Sequence, residues 1–147
     1  MELMRPSETD SQTQDPDALQ VDHPLQLDGL PGTWVNTNPD SRGIVKVAIR
    51  VRDSRLFVRA FGAGDPEPCD WGEAEADQTY AGNVSSHVAA GFTAGYDFGF
   101  SGIHLQANWN QGLLVLASFT SFKDGSRRSN YFSREFFHRA VPRQEEN

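Results

Sequence analysis

The amino-acid sequence predicts an all-β fold, an antiparallel up-and-down β-barrel of about eight strands behind a disordered N-terminal tail. Past residue 30, apolar and polar residues alternate with a period of two, which is typical of strands with one buried face. The helical apolar repeat is nearly absent there, and turn residues separate the alternating stretches at short intervals. Sequential hairpins without a crossover helix favour an up-and-down barrel over a Greek-key sandwich.

The first part of the chain differs in composition from the rest. Residues 1–28 carry seven acidic side chains against Arg5 alone, and all sixteen aromatic residues follow them. Such a segment cannot bury enough apolar surface to offset the entropy lost on ordering. We therefore expect a disordered acidic tail over residues 1–28, a barrel domain over residues 29–140 and a disordered C-terminal tail over residues 141–147.

Charge and composition exclude several classes of function. After residue 28 the chain carries thirteen acidic and twelve basic side chains, so it has no basic surface for nucleic acid. No apolar run approaches the roughly 18 residues that span a bilayer, so no membrane partner is expected. The N-terminus lacks the pattern of a signal peptide, and the single cysteine excludes an internal disulfide. We expect a cytoplasmic protein.

Eight strands follow from the alternation. They are expected at residues 32–37, 43–52, 55–62, 71–80, 86–94, 96–108, 113–122 and 128–138. Eight strands enclose an interior just wide enough for side chains or for one small ligand.

The first hairpin has the clearest register. Asp53-Ser54 is expected to form a two-residue turn, which brings apolar residues of the two strands opposite each other on the inner face. The expected pairs are Val51 with Leu56, Ile49 with Val58 and Val47 with Ala60.

The second clear hairpin is expected to turn at Asn110-Gln111-Gly112, where glycine supplies a positive φ. A three-residue turn places eight residues together on the inner face. The expected pairs are Trp109 with Leu113, Ala107 with Val115, Leu105 with Ala117 and Ile103 with Phe119.

Opposite charges lie on neighbouring predicted strands. Basic residues cluster on the first hairpin, and acidic residues follow between Asp65 and Asp77. If Gly72, Ala74 and Ala76 point inward, the acids point outward and pair with Arg55 and Arg59 on a solvated surface. A site for an anion or a partner is the alternative. Three nearby acids raise the pKa expected for Cys69, so we expect this thiol to be inert.

The last strand has two possible registers. One turns Phe132, Arg134 and Phe136 inward, and the other turns Tyr131, Ser133, Glu135 and Phe137 inward. Each register places an ionisable group inside the barrel, where it needs a partner and where its pKa is perturbed.

Two short motifs carry a family resemblance. Gly32-Thr33-Trp34 at the start of the first strand resembles the Gly-x-Trp entry of the lipocalin and calycin barrels. In that group an arginine near the end of the last strand packs over this tryptophan, a role open here to Arg134 or Arg139. The resemblance favours Arg134, with Trp34 and Arg134 as structural residues. Disulfide cysteines and a C-terminal helix pattern are lacking. The resemblance implies an open-mouthed cavity for a small hydrophobic molecule.

Large inward residues lie opposite small ones. This pattern occurs in a filled barrel, and it can also leave a hollow lined by aromatic rings. Residues 91–102 form either a bent strand pair at a barrel corner or an aromatic lip over a cavity. The candidate ligand-binding residues are Trp71, Phe92, Tyr96, Phe98, Leu105, Trp109, Phe119 and Tyr131. The candidates for moving a proton are Tyr96, Asp97, Tyr131 and Glu135.

These residues predict a protein that binds a small hydrophobic or aromatic molecule in its central cavity. One alternative is an enzyme that uses the same cavity without a cofactor, as a cyclase or isomerase in natural-product biosynthesis. Some bacterial barrels of lipocalin-like shape are such cyclases. A second alternative is a non-catalytic interaction module with a filled barrel. The histidines lack metal-ligand spacing, so we expect no metal and no cofactor. The sequence leaves open whether the protein is a homodimer.

Overall fold

The computed structural model describes residues 25–141 and places nine strands in one antiparallel sheet, with no helix among the described residues. The strands are β1 (Gly32–Asn36), β2 (Ile44–Arg52), β3 (Arg55–Gly62), β4 (Cys69–Glu75), β5 (Gln78–Ala81), β6 (Ala89–Asp97), β7 (Ser101–Asn110), β8 (Leu113–Phe122) and β9 (Tyr131–Arg139).

The strand order confirms the all-β, up-and-down arrangement. Strands adjacent in sequence are adjacent in space, except that β1 also pairs with β9 and that β4 and β5 are the two edges of the sheet. The first and last strands meet antiparallel, with Trp34 opposite Arg139. The first and last strands therefore lie side by side at the centre of the sheet, and the strands from the middle of the chain form its two edges.

Two expectations about the barrel are wrong: the sheet is not closed, and it has nine strands instead of eight. The predicted strand at residues 71–80 divides into β4 and β5 because the chain changes partner between neighbouring residues. The amide of Ala76 donates to Leu56 O of β3 at 2.9 Å, and the amide of Asp77 donates to Thr93 O of β6 at 2.7 Å. Because residues 76 and 77 pair with β3 and β6 in turn, the two edges of the sheet lie close together there.

The β2–β3 hairpin has the predicted register. Val51 lies opposite Leu56, Ile49 opposite Val58 and Val47 opposite Ala60. Asp53 and Ser54 have φ values of 55° and 64°. Two positive angles in succession are typical of the type I′ turn, whose twist matches that of the flanking strands.

The predicted register of the β7–β8 hairpin is wrong by one residue. The turn holds two residues, Gln111 and Gly112, with φ values of 55° and 86°. Trp109 therefore lies opposite Leu114, and Phe119 lies opposite His104 on the outer face. A slip of one residue exchanges the faces of a whole strand, so Phe119 is 42% exposed and not inward.

The predicted break between residues 94 and 96 is also wrong. β6 continues to Asp97, and the turn follows at residues 98–100, where the amide of Phe98 donates to Ser101 O at 2.8 Å. Gly99 takes the positive φ of 89° that this turn requires, whereas Gly95 stays within the strand.

The interior has two levels, which we call the closed end and the open end. The closed end lies near the β2–β3 and β7–β8 turns and is filled by fully buried side chains. They include Trp34, Phe92, Leu105, Leu114 and Phe137. The open end lies among the loops at residues 37–43, 63–68, 98–100 and 123–130.

The closed end contains the Gly-x-Trp tryptophan. The indole Nε1 of Trp34 donates to Leu30 O at 2.9 Å, and the Arg139 guanidinium lies 4.2 Å from the ring centroid. Arg139 also donates to Pro31 O and Gly29 O at 2.6 and 2.7 Å. The expected structural role of Arg134 is therefore taken by Arg139, because Trp34 lies opposite residue 139 in the β1–β9 pair.

The described chain begins before the predicted domain boundary at residue 29. Gln26 bridges to the segment before β6, with its amide donating to His87 O at 2.7 Å, and Leu25 and Leu27 pack on the core. The rest of the predicted tails, residues 1–24 and 142–147, lies outside the described residues.

Candidate functional site

The open end contains two adjoining cavities, of about 650 and 230 Å³, which together we call the cup. Five residues line both cavities: Cys69, Trp71, Ile103, Thr120 and Tyr131. The larger cavity opens outward between Phe98, Phe100 and Phe122. The smaller one continues inward to Ser118 and Ser133. The cup therefore combines aromatic side chains with hydroxyl side chains.

The rings of Trp71 and Phe98 form one wall of the cup, and the ring of Tyr96 packs behind them. The centroid of Trp71 lies 5.6 Å from that of Tyr96 and 5.6 Å from that of Phe98, in edge-to-face contact with both, and Tyr96 stacks on Phe98. The indole lies against the backbone of Gly62, where an added Cβ would stand 2.8 Å from Trp71 Nε1. Gly62 therefore leaves the space that Trp71 occupies.

A bulge in β4 turns Trp71 inward. Arg59 lies opposite Glu73 and Phe61 lies opposite Asp70, so β4 holds one residue more than β3 at this level. The structure places Gly72, with φ at 92°, at this extra position. Strict alternation with Gly72, Ala74 and Ala76 inside would turn Trp71 outward. The bulge instead sets Trp71 in the wall of the cup.

The hydroxyl of Tyr96 bridges the gap in the open sheet. It accepts from the amide of Ala60 at 3.0 Å and lies 2.7 Å from the carbonyl oxygen of Gly72, to which it donates. Val58 O lies further away, at 3.3 Å. Burial raises the pKa of this hydroxyl above its ordinary value. Tyr96 therefore ties β6 to β3 and β4 across the seam.

Hydroxyl side chains form the other wall of the cup, on β7, β8 and β9. Ser101, Ser118 and Thr120 are each at least nine-tenths buried, and Ser133 is partly buried. The hydroxyl oxygens of Ser118 and Ser133 lie 2.9 Å apart in a hydrogen bond. This wall is polar and uncharged.

Arg128 holds the rings at the mouth. Its guanidinium lies 4.3 Å from the ring centroid of Phe122 and 5.6 Å from that of Phe100, and it pairs with Asp124 at 2.7 Å. The ring of Tyr131 lies beside Phe122, with centroids 6.2 Å apart. At an exposed site a cation–π contact contributes about 0.5–1 kcal/mol.

The last strand takes the second of the two predicted registers. Glu135 points inward and Arg134 outward, where its guanidinium lies 5.7 Å from the Phe136 ring. The Glu135 carboxylate accepts from Asn36 Nδ2 at 3.0 Å and from Ser41 Oγ at 2.9 Å. It thus ties the loop at residues 37–43 to β9, and it does not line the cup.

The candidates for proton transfer are therefore not brought together. Asp97 lies at the surface, where it accepts from Lys123 Nζ at 2.8 Å and from the amide of Gly99 at 2.9 Å. The hydrogen bond from Lys123 holds the pKa of Asp97 below its ordinary value. Of the four candidates, only Tyr131 lines the cup.

The ligand-binding candidates divide between the two ends. Trp71, Phe98 and Tyr131 line the cup, and Tyr96 packs behind Trp71. Phe92 and Leu105 fill the closed end.

Two candidates line neither the cup nor the buried core. Trp109, opposite fully buried Leu114 at the closed end, is 40% exposed and borders a surface groove with Tyr80 and Asn108. Phe119 stacks on Phe132 on the outer face, with centroids 5.7 Å apart. The prediction missed Phe122 and Thr120, because the β7–β8 slip placed them on the outside.

The acidic residues of β4 pair with the arginines of the first hairpin, as expected. Arg59 reaches Asp70 at 2.7 Å, Arg50 reaches Glu73 at 2.8 Å and Arg55 reaches Glu75 at 3.0 Å. All three pairs are exposed. Cys69 begins β4 as an exposed free thiol.

Residues 25–141 contain no group of three metal-ligating side chains close enough to hold a metal ion. In the same residues, no helix is long and apolar enough to cross a membrane. No protein-family model, curated protein or solved structure matches this chain.

Proposed function

We propose that this chain is a lipocalin-like protein that binds a small hydrophobic or aromatic molecule in the cup. The observation that carries the proposal is the contrast along the interior. The closed end is filled by fully buried side chains, whereas the open end keeps a cavity of about 650 Å³ bordered by Trp71, Phe98 and Phe122. Pockets for small molecules are concave and mostly apolar, with a few placed polar groups, and have this range of volumes.

The same contrast supports binding over a filled-barrel interaction module. A filled barrel needs large inward side chains at every level, and β3 and β4 instead carry Ala60, Gly62 and Ala74. Trp71 occupies part of the space beside Gly62, and the rest stays open to the mouth.

Binding is also preferred to cyclase or isomerase activity. Such an enzyme needs a group that moves a proton at the substrate. The hydroxyl of Tyr96 and the carboxylates of Asp97 and Glu135 are each held by protein partners outside the cup. This leaves Tyr131 as the one earlier candidate beside a ligand. A cytoplasmic location remains part of the proposal, and homodimer formation stays open.

The test is the binding of N-phenyl-1-naphthylamine, an uncharged apolar fluorophore whose emission rises in an apolar site. The full chain is expected to bind it with micromolar affinity. Thr120→Phe should abolish binding, because residue 120 points into the cup. Ser121→Phe should leave it unchanged, because the neighbouring side chain is exposed on the outer face.

Tryptophan fluorescence localises the probe. Trp34 and Trp109 lie at the closed end, so bound fluorophore should quench mainly Trp71, and Trp71→Phe should remove most of the quenching while retaining a ring. Melting temperatures of the variants show whether each one folds. Equal binding by the parent and a folded Thr120→Phe variant would contradict the proposal, as would no binding by the parent.

A further inference from the structure

Two buried hydroxyls in the cup have no hydrogen-bond partner among residues 25–141. Ser101 is 4% exposed and Thr120 is 7% exposed, and both side chains line the larger cavity. Neither hydroxyl hydrogen-bonds to any group within the described part of the chain. A buried hydroxyl without a partner is unfavourable, and in folded proteins such groups usually meet water or a ligand.

The two hydroxyls belong to one wall. Thr120 lies opposite Ile103 in the β7–β8 pair, and Ser101 lies opposite Phe122, so both project from adjacent strands near the mouth. Deeper on the same wall, the Ser118–Ser133 pair uses one donor hydrogen and leaves the other free to bond further. The wall thus offers donors and acceptors along a single side.

The facing wall offers rings. Trp71 on β4 and Phe98 after β6 border the same cavity as Ser101 and Thr120. An aromatic wall favours a flat apolar body, and a hydroxyl wall favours oxygen atoms along one edge of that body.

The charges around the cup favour an uncharged ligand. Arg128 and Asp70 line the larger cavity, but Arg128 pairs with Asp124, and Asp70 pairs with Arg59. Arg42 lines only the smaller cavity and is exposed. Among the described residues that line the larger cavity, every charged side chain is therefore already in an ion pair.

We infer that the cup takes an uncharged planar compound with a hydroxyl or carbonyl oxygen on one edge, which Ser101 and Thr120 hydrogen-bond while Trp71 and Phe98 contact the ring system. This inference rests on the proposed function and adds the chemical class of its ligand.

The test compares three compounds of similar size that displace N-phenyl-1-naphthylamine at neutral pH: 2-naphthol, 2-methylnaphthalene and 2-naphthoate. The quantity measured is the ratio of the affinities for 2-naphthol and 2-methylnaphthalene. Thr120→Val keeps the shape of the side chain and removes its hydroxyl, and Ser101→Ala removes the second hydroxyl. Ser121→Ala removes an exposed hydroxyl from the outer face and is the control.

We expect the affinity ratio to fall by about fivefold or more in the double variant Ser101→Ala/Thr120→Val, the size of one lost hydrogen bond. The affinity for 2-methylnaphthalene should stay within about twofold, because the apolar contacts remain. The ratio in Ser121→Ala should equal that of the parent. The single variants Ser101→Ala and Thr120→Val show which of the two hydroxyls forms the hydrogen bond to the ligand oxygen.

The outcomes separate the inference from the proposed function. If the fluorophore and 2-methylnaphthalene bind but the ratio is unchanged in the double variant, the hydroxyl wall does not recognise oxygen and the inference is overturned. If 2-naphthoate binds more tightly than 2-naphthol, the uncharged class is wrong. If neither the fluorophore nor any naphthalene binds, the proposed function itself fails.

Discussion

The closed and open ends of the interior are built from the same strands and have opposite characters. On β7, Leu105 is fully buried at the closed end, and Ile103, two residues away on the same face, borders the cup. On β9, Phe137 is fully buried, and Tyr131 lies at the mouth. Alternation alone decides that these side chains face inward. The size and polarity of the inward residues at each level decide whether the interior is filled or hollow.

The comparison also separates two ways of holding the fold. The closed end relies on buried apolar area around Trp34, which contributes about 25 cal/mol for each Å² removed from water. The open end relies on a few directed hydrogen bonds, from Tyr96 across the seam and from Glu135 to the loop at residues 37–43. Substitutions at the two ends should therefore differ in magnitude and in what they disturb.

The largest expected effect comes from Leu105→Ala at the closed end. The free energy of unfolding should fall by about 2–5 kcal/mol, because the substitution removes buried methyl groups and leaves a cavity among well-packed neighbours. Ile103→Ala, on the same face of β7, should cost less than half as much, since that side chain is only partly buried. Urea unfolding of the two variants measures the difference. Equal losses of unfolding free energy in the two variants would mean that the closed end is not packed more tightly than the open end.

A second prediction concerns the seam of the open sheet. Tyr96→Phe should lower the free energy of unfolding by about 1–3 kcal/mol, because the amide of Ala60 and the carbonyl of Gly72 lose their partner. Amide exchange of Ala60 should also become faster.

Tyr131→Phe is the matched control for the seam. Its hydroxyl makes no hydrogen bond within residues 25–141, and its removal should change stability very little. A Tyr96→Phe variant as stable as the parent would mean that the hydroxyl does not hold the seam.

A third prediction compares the two arginines of the last strand. Arg139→Met should lower the free energy of unfolding by about 1–2 kcal/mol, because two hydrogen bonds to backbone carbonyls and the contact with Trp34 are lost. Arg134→Met, on the outer face, should have almost no effect. Thermal unfolding, followed by the fluorescence of buried Trp34, distinguishes the two, and the reverse order would restore Arg134 as the structural residue.

The smallest expected effect is the pH dependence of the exposed Arg59–Asp70 pair at the rim of the cup. The hydrogen bond from Arg59 holds the pKa of Asp70 below its ordinary value of 3.8, so the unfolded chain binds the proton more readily than the folded one. The stabilisation is therefore complete above this ordinary value and is lost as the pH falls through the lowered pKa of the folded state.

Unfolding of the parent and of Asp70→Asn, measured from about pH 7 down to about pH 3, should reveal this loss as a shrinking difference in stability. The effect should be small and weakened by salt, because both side chains are exposed. A difference in stability that does not shrink at low pH would mean that the charge of Asp70 contributes nothing.

Local patterns predicted much of the fold. Alternation and the short turns indicated an antiparallel meander, and Asp53-Ser54 determined the β2–β3 register. The predicted β7–β8 register was wrong because Asn110-Gln111-Gly112 is compatible with a two-residue or a three-residue turn. The sequence does not show how many of these residues take a positive φ. That single residue moved Phe119 out of the cup and Thr120 into it.

The sequence by itself determined which residue types were available: a supply of small inward residues, rings near residues 91–102 and arginines matched by acids along the first hairpins. Only the tertiary structure decided that Trp71 turns inward at a bulge, that Tyr96 bridges an unclosed seam and that Arg139 covers Trp34. Each of these depends on contacts between residues far apart in the chain. Such contacts are decided by how the sheet curls and where its register shifts, and neither is encoded in any short stretch of sequence.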